Sequence, residues 1–213
     1  MSGRELTAID RLLGEIDTAL RVVGSKAREH RRNPAGSTPE ADMNTSERRH
    51  SAALMRVNHS GEIAAQALYR GQAFVARDPE LREHLLEAAD EEYDHLAWCE
   101  GRVNELNSHV SYLAPFWYGG SFAIGAAAGL ASDKFSLGFL AETEQQVTAH
   151  LEQHLDKLSP KDERSRKIVL QMRDDELKHS TQATEKGGAA LPEPVIKLMG
   201  LSSKIMTKLA HQL

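Results

Sequence analysis

Residues 90–95 read DEEYDH and residues 174–179 read DDELKH. Each stretch carries Glu-x-x-His behind another acid: Glu92 with His95, and Glu176 with His179. Residues three apart on a helix project from one face, so each stretch offers a carboxylate and an imidazole side by side. One such pair is weak evidence, because a chain with 20 glutamates and 10 histidines among 213 residues holds about one by chance. Glu47 with His50 reads as the accidental pair. The surroundings of the other two set them apart.

Working outward, a lone glutamate precedes each pair. Glu62, in RVNHSGEIAAQALY, stands thirty residues before Glu92, and Glu144, in AETEQQVTAH, thirty-two before Glu176. Between each glutamate and its pair lies a break, Asp78-Pro79 in one case and Ser159-Pro160 in the other. Proline lacks a donor and suits the first turn of a new helix. From Glu62 to Asp78 is sixteen residues, and from Pro79 to Glu92 thirteen. In the second hairpin the legs are fifteen and sixteen. At a rise of about 1.5 Å per residue, each lone glutamate returns to nearly the height of its Glu-x-x-His.

Two such hairpins together offer four carboxylates and two imidazoles, enough to bridge and terminally ligate two divalent ions with positions left open for oxygen. Hard carboxylates with imidazole suit iron or manganese, whereas zinc favours a tighter four-ligand site. The set matches the one already known from ferritin-like di-iron bundles. Redox iron is the expectation. Glu91 and Asp175, each directly before a motif glutamate, are candidates to hold the histidine of the opposite hairpin, since a ligand histidine donates its other N–H to an acid or carbonyl. His150 is a further candidate for this outer layer. It and His59 do not share the ligand face and read as structural or pocket-lining. Tyr93 and Trp98 read as packing residues.

Composition agrees with an all-α chain. Only 5% of the 213 residues are aromatic, and Gly and Pro fall in clusters. A net charge of −5 argues against nucleic acid as a partner. Cys99 is the sole cysteine, which excludes an internal disulfide or a CxxC site and points to a reducing compartment. The expected order is one domain spanning 1–213. Residues 1–24 form an amphipathic helix, with Leu6, Ile9, Leu13, Ile16, Leu20 and Val23 spaced by threes and fours and no secretory h-region. A turn-rich linker covers 25–43 and the bundle covers 44–188, with helices expected from Asn44–Ser46 to about Arg77, Pro79 to about Asn107, about Asp133 to Ser159, and Lys161 to Gly187-Gly188. A second amphipathic helix spans 189–213, with lysines 197, 204 and 208 opposite its apolar residues. It fits either the membrane interface or a sixth place in the bundle.

Residues 106–132 contain no Asp, Glu, Lys or Arg. Their length matches a membrane span, but YGG interrupts them and Gly, Ala and Ser dominate the second half. A long apolar crossover helix over 108–132, lying along the bundle, is the better reading. Residues 112–131 are the candidate lip of an apolar entrance.

The stretches RVNHSGEIAAQALYRGQ, EEYDHLAWCEGRVNEL, ETEQQVTAHL and RDDELKH resemble the demethoxyubiquinone hydroxylases, and IDRLLGEIDTALRVVG resembles the start of bacterial members. The resemblance runs through most of residues 45–213. It implies a ferritin-like bundle whose two irons are held by Glu62, Glu92, His95, Glu144, Glu176 and His179. It further implies hydroxylation of a polyprenyl methoxy-methyl-benzoquinol by molecular oxygen, with reducing equivalents from NADH. Members are peripheral membrane proteins, which places this chain at the cytoplasmic face of the bacterial inner membrane, with a lipid-embedded quinol as substrate and a ubiquinone-biosynthesis complex or a homo-oligomer among its partners. Two departures stand out. Glu144-Gln145 replaces the Glu-Glu of many relatives, and His150-Leu151 the His-Tyr of several. The alternatives are a ferritin- or rubrerythrin-like protein handling iron or peroxide, and a non-catalytic, membrane-associated helical scaffold.

Overall fold

Asn44 starts the bundle. Its side chain accepts from the backbone N–H of Glu47, whose carboxylate accepts from the Asn44 N–H in return. This reciprocal cap is the work of Glu47, so the third Glu-x-x-His is a helix start and not a ligand pair. The computed structural model describes residues 7–213, and among them it holds seven α-helices and no strand. They are α1 (Ala8–Gly24), α2 (Thr45–Val75), α3 (Pro79–Glu105), α4 (Ala114–Ala131), α5 (Asp133–Lys157), α6 (Glu163–Glu185) and α7 (Glu193–Gln212). Asp78, Ser132 and Asp162 cap α3, α5 and α6 with side-chain acceptors. Gly187, with φ of 92°, turns the chain after α6 in a conformation that favours glycine.

Helices α2 and α3 form one hairpin, α5 and α6 the other. Two apolar layers tie them together. One gathers Met55, Trp98, Cys99, Val103, Leu151, Ile168 and Met172. The second gathers Tyr69, Leu85, Ala88, Leu140, Ala141 and Ala183. Each large side chain buried here contributes on the order of 1.5–3 kcal/mol. In all four helices the six predicted ligands fall between these layers, so the polar level is closed above and below.

The expected long crossover over 108–132 is shorter than read. Asn107, at φ 58°, ends α3, residues 107–113 are irregular, and α4 is 18 residues beginning beside Pro115. Pro is tolerated only in the first turn, which sets that start. No described helix is long and apolar enough to cross a membrane. Instead α4 runs parallel to α2 at backbone contact. A β-carbon added at Gly71 would lie 2.2 Å from the Phe122 carbonyl oxygen, and one at Gly125 would lie 2.0 Å from that of Leu68.

Residues 25–43 have no regular structure, yet they form a strap laid across α3 and α6. The Ala27 N–H donates to Glu100, Arg164 donates to the Thr38 carbonyl, and Glu40 accepts from buried Arg102. Leu6 lies outside the described residues. Most of the remaining stripe of α1 points away from the bundle: Ile9, Leu13, Ile16 and Leu20 are exposed, while Val23 packs half-buried beside buried Val22 and Glu15 pairs with Arg70 at 2.7 Å. In α7, Leu198, Leu201, Ile205 and Leu209 likewise face outward, and Met199 and Met206 are partly covered.

Two tests follow from this packing. Gly125→Ala should cost about 1–3 kcal/mol by overpacking α4 on α2. Gly101→Ala, whose added carbon meets nothing within 4 Å, should gain about 0.5–1 kcal/mol from helix propensity; urea melts of both variants check the pair. Burial alone pushes the His59 pKa down to about 4, from the ordinary 6.5, and its Nδ1 has no hydrogen-bond partner. The unfolded chain binds that proton first as pH falls, so stability is present above pH 6.5 and lost below it, at about 1.4 kcal/mol per pH unit down to about pH 4. In His59→Leu the same titration should show a shallower slope over that window.

Candidate metal centre

The two hairpins bring all six predicted ligands together, every one of them buried. His95 Nδ1 lies 2.8 Å from Glu92 Oε2, 3.1 Å from Glu176 Oε1 and 3.6 Å from Glu62 Oε2. His179 Nδ1 lies 3.5 Å from Glu92 Oε1, 3.5 Å from Glu176 Oε2 and 3.7 Å from Glu144 Oε1. The side chains thus sort into two groups, Glu62–Glu92–His95–Glu176 and Glu92–Glu144–Glu176–His179, within each of which the donor atoms stay inside 4.8 Å of one another. Glu92 and Glu176 belong to both, with one oxygen turned to each histidine. Glu62 and Glu144 belong to one apiece. Two shared and two unshared carboxylates around two imidazoles are a set that could hold metal ions.

Electrostatics and hydrogen bonding both fit cations at this level. Burial raises Glu62 and Glu144 well above the usual carboxylate range, and neighbouring carboxylates add to it. Burial also disfavours charge on Glu92 and Glu176, but the two histidines outweigh it and hold both low. For His95 and His179 burial would lower the pKa, and the carboxylates around them raise it instead. Among the described residues, Glu92 Oε1, Glu144 Oε2, both oxygens of Glu176 and His179 Nδ1 are buried with no hydrogen-bond partner. Orphaned buried donors and acceptors are rare in folded proteins, and five at one point are a coordination shell's worth. Buried oxygens and imidazole nitrogens of this kind can bind metal.

Around the ligands, Asp175 Oδ2 sits 3.1 Å from His95 Nε2, and Glu91 Oε2 sits 2.6 Å from His179 Nε2. Each acid therefore faces the histidine of the opposite hairpin. His150 does not join this layer. Six residues along α5 from Glu144, it is displaced by about 9 Å. Its ring packs tilted against that of His154, 4.0 Å between centroids, and burial lowers its pKa to about 4. Tyr69, not singled out from the sequence, is buried and donates its hydroxyl to Glu144 Oε1. It stands seven residues after Glu62, on the same helix face, and that spacing was the available signal. Arg31 of the strap, also missed, reaches His95 from a stretch without periodicity.

A cavity of about 340 Å³ opens between α2, α4, α5 and α7 and has Glu62 in its wall. Its lining is mostly apolar, with Phe116, Trp117, Phe139 and Met199 among the walls. Phe116 and Ile124 belong to the lip and are 72% and 47% exposed. Three polar atoms of its lining residues, Asn58 Oδ1, Trp117 Nε1 and His150 Nε2, are buried without partners.

Comparison with known proteins identifies the family. Residues 49–210 match the family model described as ubiquinone biosynthesis protein COQ7. A 3-demethoxyubiquinol 3-hydroxylase of Nitrosococcus oceani is 53% identical over 212 residues, covering 99% of this chain and 99% of its own length. Those of Polynucleobacter necessarius and Acinetobacter baumannii are each 54% identical, over 98% and 99% of this chain and 100% of their own. On a match through most of its length and relatives aligned end to end, the chain belongs to the ubiquinone biosynthesis protein COQ7 family.

Proposed function

We propose that this protein is a di-iron monooxygenase that hydroxylates the ring of a demethoxyubiquinol, using molecular oxygen and reducing equivalents from NADH. The observation that carries this reading is the join between the two halves of the site. A buried set of four carboxylates and two imidazoles meets an apolar cavity at Glu62. The curated relatives bear the name of that hydroxylase. In the balanced reaction one oxygen atom replaces hydrogen on a ring carbon as hydroxyl, and the other leaves as water with two electrons and two protons.

Glu62, Glu92, His95, Glu144, Glu176 and His179 would hold two irons, which when bound would supply the activation of oxygen. The rest is the work of the chain. The apolar walls exclude water from the ring. Asn58 and Trp117 line the cavity and each has a buried polar atom without a partner, an acceptor and a donor, which are the groups available to a quinol's ring oxygens once the side chains turn toward it. His150, kept neutral by burial, offers a nitrogen without adding charge to the cavity. Tyr69 keeps its proton, because burial and then Glu144 raise it, and so it holds Glu144 as a donor.

The lip of the cavity explains where such a substrate enters. The exposed apolar residues of α1, α4 and α7 are flanked on α7 by exposed lysines 197, 204 and 208, the pattern of a helix lying in a lipid interface. A polyprenyl tail then stays in the bilayer while the ring rises between Phe116 and Leu198. The protein acts as a peripheral protein on the cytoplasmic face of the inner membrane, where a homo-oligomer or a complex of ubiquinone-biosynthesis enzymes would receive the product.

Cells lacking the gene should accumulate demethoxyubiquinone, seen by quinone profiling, and a Glu144→Ala copy should fail to clear it. The purified protein should hold about two irons per chain, and Glu92→Ala, which removes a bridge, should hold fewer than one. Normal ubiquinone in the deletion strain would end the reading. In sedimentation with phosphatidylglycerol-containing vesicles, Leu201→Glu and Ile205→Glu should each weaken binding about tenfold, the cost of one large apolar side chain kept from lipid. Equal binding by both variants would place the contact elsewhere.

A further inference from the structure

We propose that Arg31, carried by the 25–43 strap, is a positioning residue of the metal centre: it fixes Asp175, and through Asp175 the imidazole of His95. The inference rests on the metal reading above and extends it to a segment with no ligand of its own.

The strap is aimed by Asp94, which is buried on α3. Asp94 Oδ1 accepts from the backbone N–H groups of His30 at 2.5 Å and Arg31 at 3.1 Å, and Oδ2 accepts from Arg31 Nε at 3.1 Å. So held, the guanidinium lies over the Trp98 ring, 4.9 Å from its centroid, and Trp98 in turn flanks His95 at 5.4 Å between centroids. Nη1 donates to Asp175 Oδ2 at 2.9 Å. The same oxygen faces His95 Nε2 at 3.1 Å. The other oxygen, Oδ1, is held by α6 itself, from Gln171 at 3.1 Å and Lys178 at 3.4 Å. Every lone pair of Asp175 that matters for His95 is thus set by the strap.

Chemistry gives this contact a direction. His95 Nδ1 faces Glu92, Glu176 and Glu62, so it is the atom that would ligate and must carry no proton. Nε2 must then carry the proton. Arg31 Nη2 lies 3.1 Å from Nε2, and a guanidinium has no acceptor to offer. A protonated Nε2 donates to Asp175 Oδ2, which Arg31 anchors through Nη1; Nη2, which can donate only to a bare Nε2, then turns aside. Lysine cannot do this, because Nε and Nη1, two differently aimed donors of one planar fork, are in use at Asp94 and Asp175. The other half of the centre has no equivalent. Glu91, opposite His179, is 54% exposed at its side chain, and among the described residues its hydrogen bond is to His179 alone.

The test is iron release from reconstituted protein into a ferrous chelator, with iron per chain and melting temperature recorded alongside. Wild type should release its two irons slowly. Arg31→Ala should speed the release of one of them by about tenfold or more, the usual scale for loss of an outer partner of a ligand histidine, and Arg31→Lys should not restore it. Lys167→Ala removes the bond from Lys167 Nζ to Thr38 Oγ1 at 2.9 Å, loosens the strap elsewhere, and should release at the wild-type rate. In an Asp175→Ala background, Arg31→Ala should add little, because the two act in series. The inference falls if Arg31→Ala keeps its iron like wild type, if its effect is fully additive with Asp175→Ala, or if Lys167→Ala matches it. A wild-type protein that bound no iron would instead overturn the metal reading, and this inference with it.

Discussion

Four carboxylates share one dry level of this bundle, and the rest of the molecule is organised around that conflict. Like charges a few ångströms apart in a low-dielectric interior repel strongly, and burial alone penalises each. The chain's own answer is partial. Glu62 and Glu144 are pushed toward the neutral form, Glu92 and Glu176 are held charged, and both histidines are drawn toward imidazolium. With all four acids ionised, two imidazolium groups leave an excess of two negative charges. Two divalent cations beside neutral imidazoles cancel the set. The same cations would occupy the lone pairs that no hydrogen bond satisfies. Charge count and hydrogen-bond count, two independent measures, thus ask for the same occupant.

Such a level can exist only if apolar packing above and below carries the stability. The layers around Met55, Leu151 and Met172 on one side, and Leu85 and Leu140 on the other, do this across all four helices. They also explain why the site is rigid. A carboxylate on one helix keeps its height against its neighbours only while the helices cannot slide, and side chains interdigitated at crystal-like density oppose sliding. The glycine seam between α2 and α4 extends the constraint outward. It sets α4 against the helix that carries Glu62, and with it one wall of the cavity.

What the sequence disclosed, and what it withheld, follows from the range of each interaction. Hairpin legs of matched length, a proline after a cap, and Glu-x-x-His on one face are local arithmetic, and the level at which the ligands meet was legible from them. Glu47, which imitates a ligand next to His50, is explained by an equally local cap. The outward turn of the α1 stripe was not legible, because a periodicity of three and four marks an apolar face without saying what covers it. Arg31 was harder still. Its partners are 63, 64 and 144 residues away, and it sits in a stretch whose composition reads as linker. Nothing in a one-dimensional pattern marks an arginine that will be threaded between two acids.

The repeated hairpin and the strap pull in opposite directions, and that tension bears on how the two halves of the centre differ. Repetition makes the site nearly symmetric: each group has one glutamate of its own, one histidine and a share of Glu92 and Glu176. The outer acids are symmetric in sequence as well, each directly before one of the shared glutamates. Their surroundings are not. Asp175 is buried under Arg31, whereas Glu91 stands at the edge of a polar recess with half its side chain in solvent. A carboxylate shielded from water keeps a fixed orientation and a strong hold on its imidazole; one in solvent exchanges partners freely. The acid behind His95 is therefore the more tightly held and the acid behind His179 the more exposed, although both histidines are buried. The cavity touches the site at Glu62, in the group that contains His95. Two hairpins alike in sequence thus differ in how firmly the outer acid is fixed, and the better-fixed acid serves the group beside the cavity.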